Sequence, residues 1–492
     1  MVTEFRELKP VINNLHKSPM DRLPVEIISI IFGYFVEKPD FIPSPVMSAH
    51  NLAYPQQLTL GAVCSNWRRI AWSLPSLWTS LAFQFTTSTS YTRVRLAVEW
   101  LERSGRLPVD IILSTPDNPG SFKQPDLSRA MPLIRAVNLC SDRWRSLTLF
   151  LPQSFMSFIH DANGPPPMLL HLHVNSHDVA SLDISQTAPK SVHIANIPLE
   201  ELSMKWHEVT RISTSNFYDA HDCLQILRQA TKVEQCFFYL KNGGDPTSNL
   251  IVNCQLTCLD VTFYSGHNIA FFFDHITLPA LKSLTLNDLP FDILPVNSLV
   301  SFFRRSSCQL DSLCLDDPFM FRRDAMELMS AIPSVSDLSL HFRIPGRESN
   351  ISLLLGPFYQ SLASLTDIQG RSLLLLPRLK TLNVSGYFSF PDKLIAALYH
   401  RLRLSKRDKA AQQSLDHVRI VCRTEDDEVR NPISRISQST LDQILYLQKE
   451  GVEFKIEVHS GPHRRQDLLE MSLEDRCTEE GVQVGPSDTA QP

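Results

Sequence analysis

Two hydrophobic periodicities divide this chain. Over residues 22–36, RLPVEIISIIFGYFV, apolar residues recur at helical spacing in two stripes. Leu23, Ile27, Ile30, Ile31, Tyr34 and Phe35 form one stripe; Val25, Ile28, Phe32 and Val36 form the other. Only Glu26, Ser29, Gly33 and Glu37 line up as a polar strip, so this predicted helix is apolar around well over half its circumference. Pro24 suits the first helical position and Glu26 the first turn. Residues 37–56, rich in proline, read as a loop. LTLGAVCSNWRRIAWSLP then restores the helical period through Leu60, Val63, Cys64, Trp67, Ile70, Ala71 and Leu74 until Pro75 stops it. Two or three short helices cannot bury all of that apolar surface among themselves. The surplus face packs either on the rest of the chain or on another protein, and periodicity leaves both open.

Beyond residue 140 the pattern changes to apolar-x-x-apolar-x-apolar, often with proline two places ahead. PALKSLTL (279–286), PSVSDLSL (333–340), PRLKTLNV (377–384) and PMLLHLHV (167–174) are nearly superimposable, and CQLTCLDV (254–261) and CQLDSLCL (308–315) share the register. Weaker copies begin their apolar positions at residues 144, 189, 209, 233 and 415. Most successive copies lie roughly 20–29 residues apart, the leucine-rich-repeat range. Each copy predicts a short parallel strand with its last two apolar residues, such as Leu284 and Leu286, pointing inward, while Ser283, Thr285 and Asn287 point out. The asparagine or cysteine expected three places after the last leucine is missing, so the returns are expected to be irregular. Trp78, Leu81 and Phe83 repeat the same spacing, which puts the start of the array at residue 78. YTRVRLAVEWLERSG (91–105) reads as a helix ended by Gly105, and STLDQILYLQKEGVEFKIEVHS (439–460) as a helix, a glycine stop and a last strand. Residues 461–492 lose the apolar period and read as a disordered tail.

The first eighty residues carry a resemblance as well as a period. Leu23-Pro24, Glu26-Ile27, Ile30-Ile31-Phe32, Val63-Cys64, Trp67-Arg68-Arg69 and Trp78 together resemble the F-box motif, in the variant common in fungal F-box-like proteins. The resemblance spans about 60 residues, and the loop insertion 38–57 is longer than the compact form of that motif. It implies a small all-helical module at 21–80 that binds a Skp-family adaptor and, through it, a cullin-based ubiquitin ligase. The implied adaptor-facing residues are Leu23, Pro24, Ile27, Ile28, Ile31 and Phe32, with Val63, Cys64 and Trp67 partly core. The expected fold is therefore α+β to α/β: a flexible segment 1–20, the helical module, and an irregular leucine-rich-repeat-like solenoid with a parallel sheet over 78–460.

Composition narrows the function further. A hydrophobic fraction of 43% fits a folded protein. The net charge of −5 argues against binding by phosphate neutralisation, and no basic stripe interleaved with aromatics appears, so nucleic acid is not an expected partner. No run approaches eighteen apolar residues, so no membrane span is expected. The polar start MVTEFRELKPVINNLHKSP has no signal-peptide character, so an intracellular setting, cytoplasm, nucleus or both, is expected. The ten cysteines are scattered without a CxxC pair and read as small hydrophobes. Asn350 and Asn383 head glycosylation triplets that have no meaning in that setting.

No catalytic constellation stands out: GxGxxG, Walker, HExxH and GxSxG patterns are all missing. His171 and His173 alternate on a predicted strand and read as strand surface; Cys254 and Cys258 lack a second ligand pair. The charge runs at 401–409 and 426–430 read as solvated faces. The expectation is thus a non-enzymatic interaction protein without cofactor or metal. It would be the substrate receptor of a Skp–cullin–F-box ligase, holding a substrate protein on outward strand positions such as Thr148, His193, Asp260, Thr285, Ser339 and Asn383. The alternative is a ligase-independent scaffold with a divergent F-box.

Overall fold

The computed structural model describes residues 23–36, 56–116, 126–164, 169–176, 178–215, 218–241, 250–264, 269–289, 294–318, 320–343, 375–387, 392–407, 415–424, 436–460 and 464–479. The expected flexible segment 1–20, most of the loop insertion and the sequon at Asn350 lie outside them. The chain divides into two compact units, Met1–Val209 and Thr210–Pro492.

The first unit opens with helices α1 (Val25–Phe35), α2 (Gln56–Val63) and α3 (Ser65–Trp72). The single helical period read over 58–74 is broken at Cys64. Its backbone turns extended, and its Sγ accepts the Trp67 amide at 3.4 Å as the N-cap of α3. Gln56 and Gln57, read as the end of the loop, instead begin α2; Gln57 is buried and its Nε2 donates to the Leu77 carbonyl at 3.0 Å. Gly61 lets α2 and α3 approach closely, because a Cβ there would run into the Trp72 indole.

A 3-10 turn, Pro75–Trp78, leads directly into β1 (Ser80–Gln84). Then follow α4 (Tyr91–Arg103), β2 (Val109–Ser114), α5 (Leu127–Leu139), β3 (Trp144–Phe150), α6 (Gln153–Met156), β4 (His171–Asn175), β5 (Leu182–Asp183), β6 (Ser191–Ala195) and β7 (Leu202–Ser203). Strands β1, β2, β3, β4 and β6 pair in that order, all parallel, while β5 and β7 pair separately.

Trp78 joins the helices to the strands. It is fully buried, its Nε1 donates to the Ala71 carbonyl at 2.9 Å, and its ring meets Trp72 and Trp100 edge-on at 5.2 and 4.7 Å. Trp100 in turn donates to the Ser80 carbonyl at 3.1 Å, and the Arg103 guanidinium lies over both Trp72 and Trp78. The helices and the first strand therefore share one aromatic core, with no linker between them.

The second unit carries β8 (Arg211–Ser215), α7 (Ala220–Gln229), β9 (Gln235–Leu240), β10 (Ile251–Val252), β11 (Cys258–Phe263), α8 (Ile269–Asp274), β12 (Ile276–Thr277) and β13 (Ser283–Asn287). It continues through α9 (Val296–Ser306), β14 (Ser312–Asp316), α10 (Arg322–Ala331), β15 (Asp337–Phe342), β16 (Thr381–Gly386), α11 (Asp392–Arg407), β17 (His417–Thr424), α12 (Gln438–Lys449), β18 (Glu453–Ser460), β19 (Arg464–Asp467) and α13 (Leu468–Glu479). Its sheet runs β8-β9-β11-β13-β14-β15-β16-β17-β18-β19, parallel until the last strand, which is antiparallel.

Every copy of the strand motif lies on a strand, and the copies are in register: Leu259, Leu284, Leu313, Leu338, Leu382 and Val418 are successive partners. All of them are buried, as are the leading positions Leu256, Leu281, Leu310, Val335, Leu379 and Leu415. The turns that follow the strands use a device the motif analysis did not include. Asn196, Asp288, Asp317 and Gly386 all have positive φ, and each stands two places after the last apolar residue of its copy. Short polar side chains and glycine tolerate this conformation, so they end the strand where an asparagine ladder was sought one place later.

Two expectations are corrected. Residues 464–479 of the supposed disordered tail form β19 and α13; Leu468 and Leu469 are buried, and the strand covers the edge of β18. Residues 461–463 and 480–492 lie outside the described residues. In the charge run at 401–409, Arg401 is 3% exposed rather than solvated, with its guanidinium on the Leu375 and Leu376 carbonyls. The run at 426–430 lies outside the described residues.

Candidate functional site: an outward apolar helix face and two polar sheet faces

Helix α1 settles which of its stripes is spare. Ile28 and Phe32 are 2% and 0% exposed, and Phe32 packs on Trp67 of α3 with ring centroids 5.0 Å apart. The other stripe stays outside: Leu23, Ile27, Ile30, Ile31, Tyr34 and Phe35 are all exposed, Tyr34 at 87%, and Val25 joins them. Helix α3 and the 3-10 turn cover only one face of α1, and Phe32 and Ile28 occupy it. A run of large apolar side chains on one helix face, left to water, is the signature of a surface that another protein covers.

The expected adaptor-facing residues therefore separate. Leu23, Pro24, Ile27 and Ile31 are on the surface; Ile28 and Phe32 are core and cannot meet a partner. Val63 and Cys64, expected to be partly core, are exposed at the α2–α3 junction, while Trp67 is half-buried against Phe32. Ile30, Tyr34 and Phe35 belong to the outward face although they were not among the expected site residues. The signal that could have placed them was their membership of the same stripe as Ile27 and Ile31.

The expected substrate-facing residues fall into two rows, one in each unit. In the first unit, strand pairing aligns Ala82, Ile112, Thr148, His173 and His193. This row is closed only in its middle: Ile112 and Thr148 are buried, whereas Ala82 is exposed and His173 and His193 are half-buried. Thr148 is buried, and β2 is buried along its whole length, with Asp110 paired to Arg145. Thr148 is thus no surface position. His173 and His193 stack edge-on at 4.2 Å beside Phe150, and burial pushes them down to about 3 and about 4, so both stay neutral at physiological pH. Among the described residues no cluster of three or more His, Cys, Asp or Glu side chains is placed to hold a metal ion.

In the second unit, register aligns Ser213, Phe237, Asp260, Thr285, Cys314, Ser339, Asn383, Arg419 and Lys455. Four of the expected residues, Asp260, Thr285, Ser339 and Asn383, are therefore brought into one line, and all are half-buried. Neighbouring side chains brace them: Asn287 Nδ2 donates to Asp260 Oδ1 at 2.7 Å, and Asn383 Nδ2 to Ser339 Oγ at 3.2 Å. Burial pushes Asp260 up to about 6 against that hydrogen bond, and Asp316 up to about 6 against the Arg343 charge. Polar groups held in one row by fixed hydrogen bonds can recognise a surface.

Comparison with protein families places residues 20–84 in a match to the model described as F-box-like. That span covers α1, α2, α3, the 3-10 turn and β1, so the matched segment ends on the strand that Trp78 anchors. F-box domains generally bind Skp-family adaptors, which gives this part of the chain a protein-interaction role. No curated protein matches the chain significantly. No helix among the described residues is long and apolar enough to cross a membrane.

Proposed function

We propose that the chain is an intracellular substrate receptor of a Skp–cullin–F-box ubiquitin ligase, of the fungal F-box-like kind. The observation that carries the reading is the outward stripe of α1 inside the segment that matches an F-box-like model. In this reading Leu23, Ile27, Ile30, Ile31, Tyr34 and Phe35 dock the adaptor. The parallel strands of each unit form an irregular leucine-rich-repeat-like array, and the outward row of the second unit holds a substrate protein. The chain has no chemistry of its own; its contribution is to hold substrate lysines near a charged conjugating enzyme, so that proximity and orientation do the work. The shared tryptophan core ties the helices to the first strand of their own unit without a linker.

The test is capture of a purified Skp-family adaptor by the full chain. Ile30→Asp combined with Tyr34→Asp places two charges on the outward stripe and should abolish capture while leaving the melting temperature unchanged. Capture that survives both changes would sink the assignment of this face. A folded wild-type chain that captures no adaptor would favour the ligase-independent scaffold.

A further inference from the structure

The outward face of the second unit's sheet changes character along its length. At the first strands it shows Arg211, Phe237 and Tyr239, and at the last strands it becomes cationic. Register aligns Arg423, His459 and Arg465 in one row and Arg419 with Lys455 in another, with Glu457 and Asp467 between them. The side chains of Arg419 and Lys455 are 50% and 56% exposed, and Arg423 and Arg465 are exposed as well. Glu453, two places before Lys455 on the same face, is 74% exposed and pairs with His417 at 2.8 Å, whereas other carboxylates sit lower and are used within the fold. Glu457 is 12% exposed and accepts from Arg419 Nη2 at 2.8 Å and Lys455 Nζ at 3.1 Å. Asp467 accepts the Leu469 and Glu470 amides at 2.9 and 3.1 Å and so starts α13. Asp316 lies fully buried beneath Arg343, itself 52% exposed. Glu457 and Asp316 thus anchor cations that reach solvent. Two histidines register the resulting field. Burial lowers His341, and Arg343, Arg423 and Arg419 lower it further; His459 is lowered by burial and by Arg465, Arg423 and Arg419, although Glu457 opposes.

We infer that this end of the sheet docks an Asp/Glu-rich segment of a partner protein. The inference deepens the receptor reading and rests on it only in taking that segment to belong to the bound substrate. Arg419 and Lys455 stand on adjacent strands about 4.8 Å apart, and the row of Arg423, His459 and Arg465 lies about 13 Å farther along the strands, a spacing that suits single carboxylates spread along an extended chain. A phosphate dianion is best held by converging, bidentate arginines, and Arg419, the central one, is already engaged by Glu457. Single-stranded nucleic acid needs aromatic platforms among the cations, and here Phe237 and Tyr239 lie at the other end of this unit's sheet.

The experiment titrates the full chain into fluorescein-labelled deca-glutamate, followed by anisotropy. Saturable binding that weakens with salt is expected. Arg423→Glu with Arg465→Glu should weaken it on the order of tenfold, and Arg419→Gln with Lys455→Gln should act in the same direction. The two variant pairs share no side chain, so a folding defect in one, seen by circular dichroism, leaves the other to decide. Absence of binding, binding unchanged in a folded variant pair, or tighter binding of a phosphoserine peptide or single-stranded RNA of equal charge would each overturn the inference. Arg423→Glu with Arg465→Glu should still capture the adaptor, and Ile30→Asp with Tyr34→Asp should still bind deca-glutamate. The docking surface and the adaptor surface thereby fail separately.

Discussion

Helix α1 and strand β13 carry apolar residues at comparable density and use them in opposite ways. In β13 the alternation of period two sends Leu284 and Leu286 into the core and Ser283, Thr285 and Asn287 outward. The strand has one apolar face and one neighbour layer to receive it. In α1 two stripes compete for a single layer made by α3 and the 3-10 turn; Ile28 and Phe32 win, and six large apolar residues are left outside. The strand's surface is what its fold requires. The helix's surface is more apolar than its fold requires, and the excess is what points to a partner.

The largest effect is expected where the helices meet the first strand of their own unit. Trp78→Ala removes a fully buried indole, its hydrogen bond to Ala71 and its packing against Trp72 and Trp100, and should cost about 3–5 kcal/mol in denaturant unfolding. Trp78→Phe should recover part of the packing without the hydrogen bond. If Trp78→Ala cost under about 1 kcal/mol, the helices would be independent of β1, and the claim that they share one aromatic core would fail.

The next test separates the two stripes of α1. Phe32→Ala should destabilise the unit by about 3 kcal/mol, because the side chain is fully buried against Trp67. Tyr34→Ala, at 87% exposure, should change stability by less than about 0.5 kcal/mol while lowering adaptor affinity. Equal destabilisation by both, measured by thermal melting, would mean that the outward stripe is covered by this chain itself.

How far the sequence reaches differs between the two regions for the same physical reason. A strand has two faces, so alternation alone tells inside from outside, and every strand motif was legible. A helix with two apolar stripes has no such rule; only the position of Trp67, set by the tertiary fold, decides that Phe32 is core and Ile31 is not. Thr148 was misplaced because its strand neighbour β2 is buried on both faces, which a pattern in β3 alone does not reveal. The row of Asp260, Thr285, Ser339 and Asn383 followed from equal spacing within each copy, which parallel pairing turns into alignment. Strand β19 and helix α13 were missed because their apolar content is confined to a few residues such as Leu468 and Leu469.

Gly386 sharpens the account of the turns. Its φ is 154°, and a Cβ there would collide with the Phe342 carbonyl oxygen. Gly386→Ala should cost about 1–3 kcal/mol, seen as a lower melting temperature. Asp288→Gly, at the equivalent place with φ 48°, should be near neutral, since glycine relieves backbone strain and the lost side chain is exposed. The opposite order would show that the recurring positive φ is incidental to the repeat.

The smallest effect concerns the polar face, and it carries the comparison back to α1. Asp260 has an ordinary value of 3.8 and is pushed up to about 6 in the folded chain by burial. A raised carboxylate binds its proton more tightly folded than unfolded, so its ionisation works against folding. That cost is absent below pH 3.8, grows between 3.8 and about 6, and is fully present above. Asp260→Asn keeps an oxygen for the Asn287 amide and removes the charge, so it should raise the melting temperature by about 1–2 °C at pH 7.5 and by nothing near pH 3.5. Asp316 is a poorer probe, because Arg343 pairs with it and its replacement would leave that cation behind. A gain at both pH values would assign the effect to packing, and a loss at pH 7.5 would mean that the carboxylate stabilises the sheet. With the expected result, Asp260 joins Tyr34 as a residue whose placement the fold alone disfavours: one exposes apolar surface, the other half-buries a charge. Both positions then mark surfaces shaped by what they touch rather than by what holds the chain together.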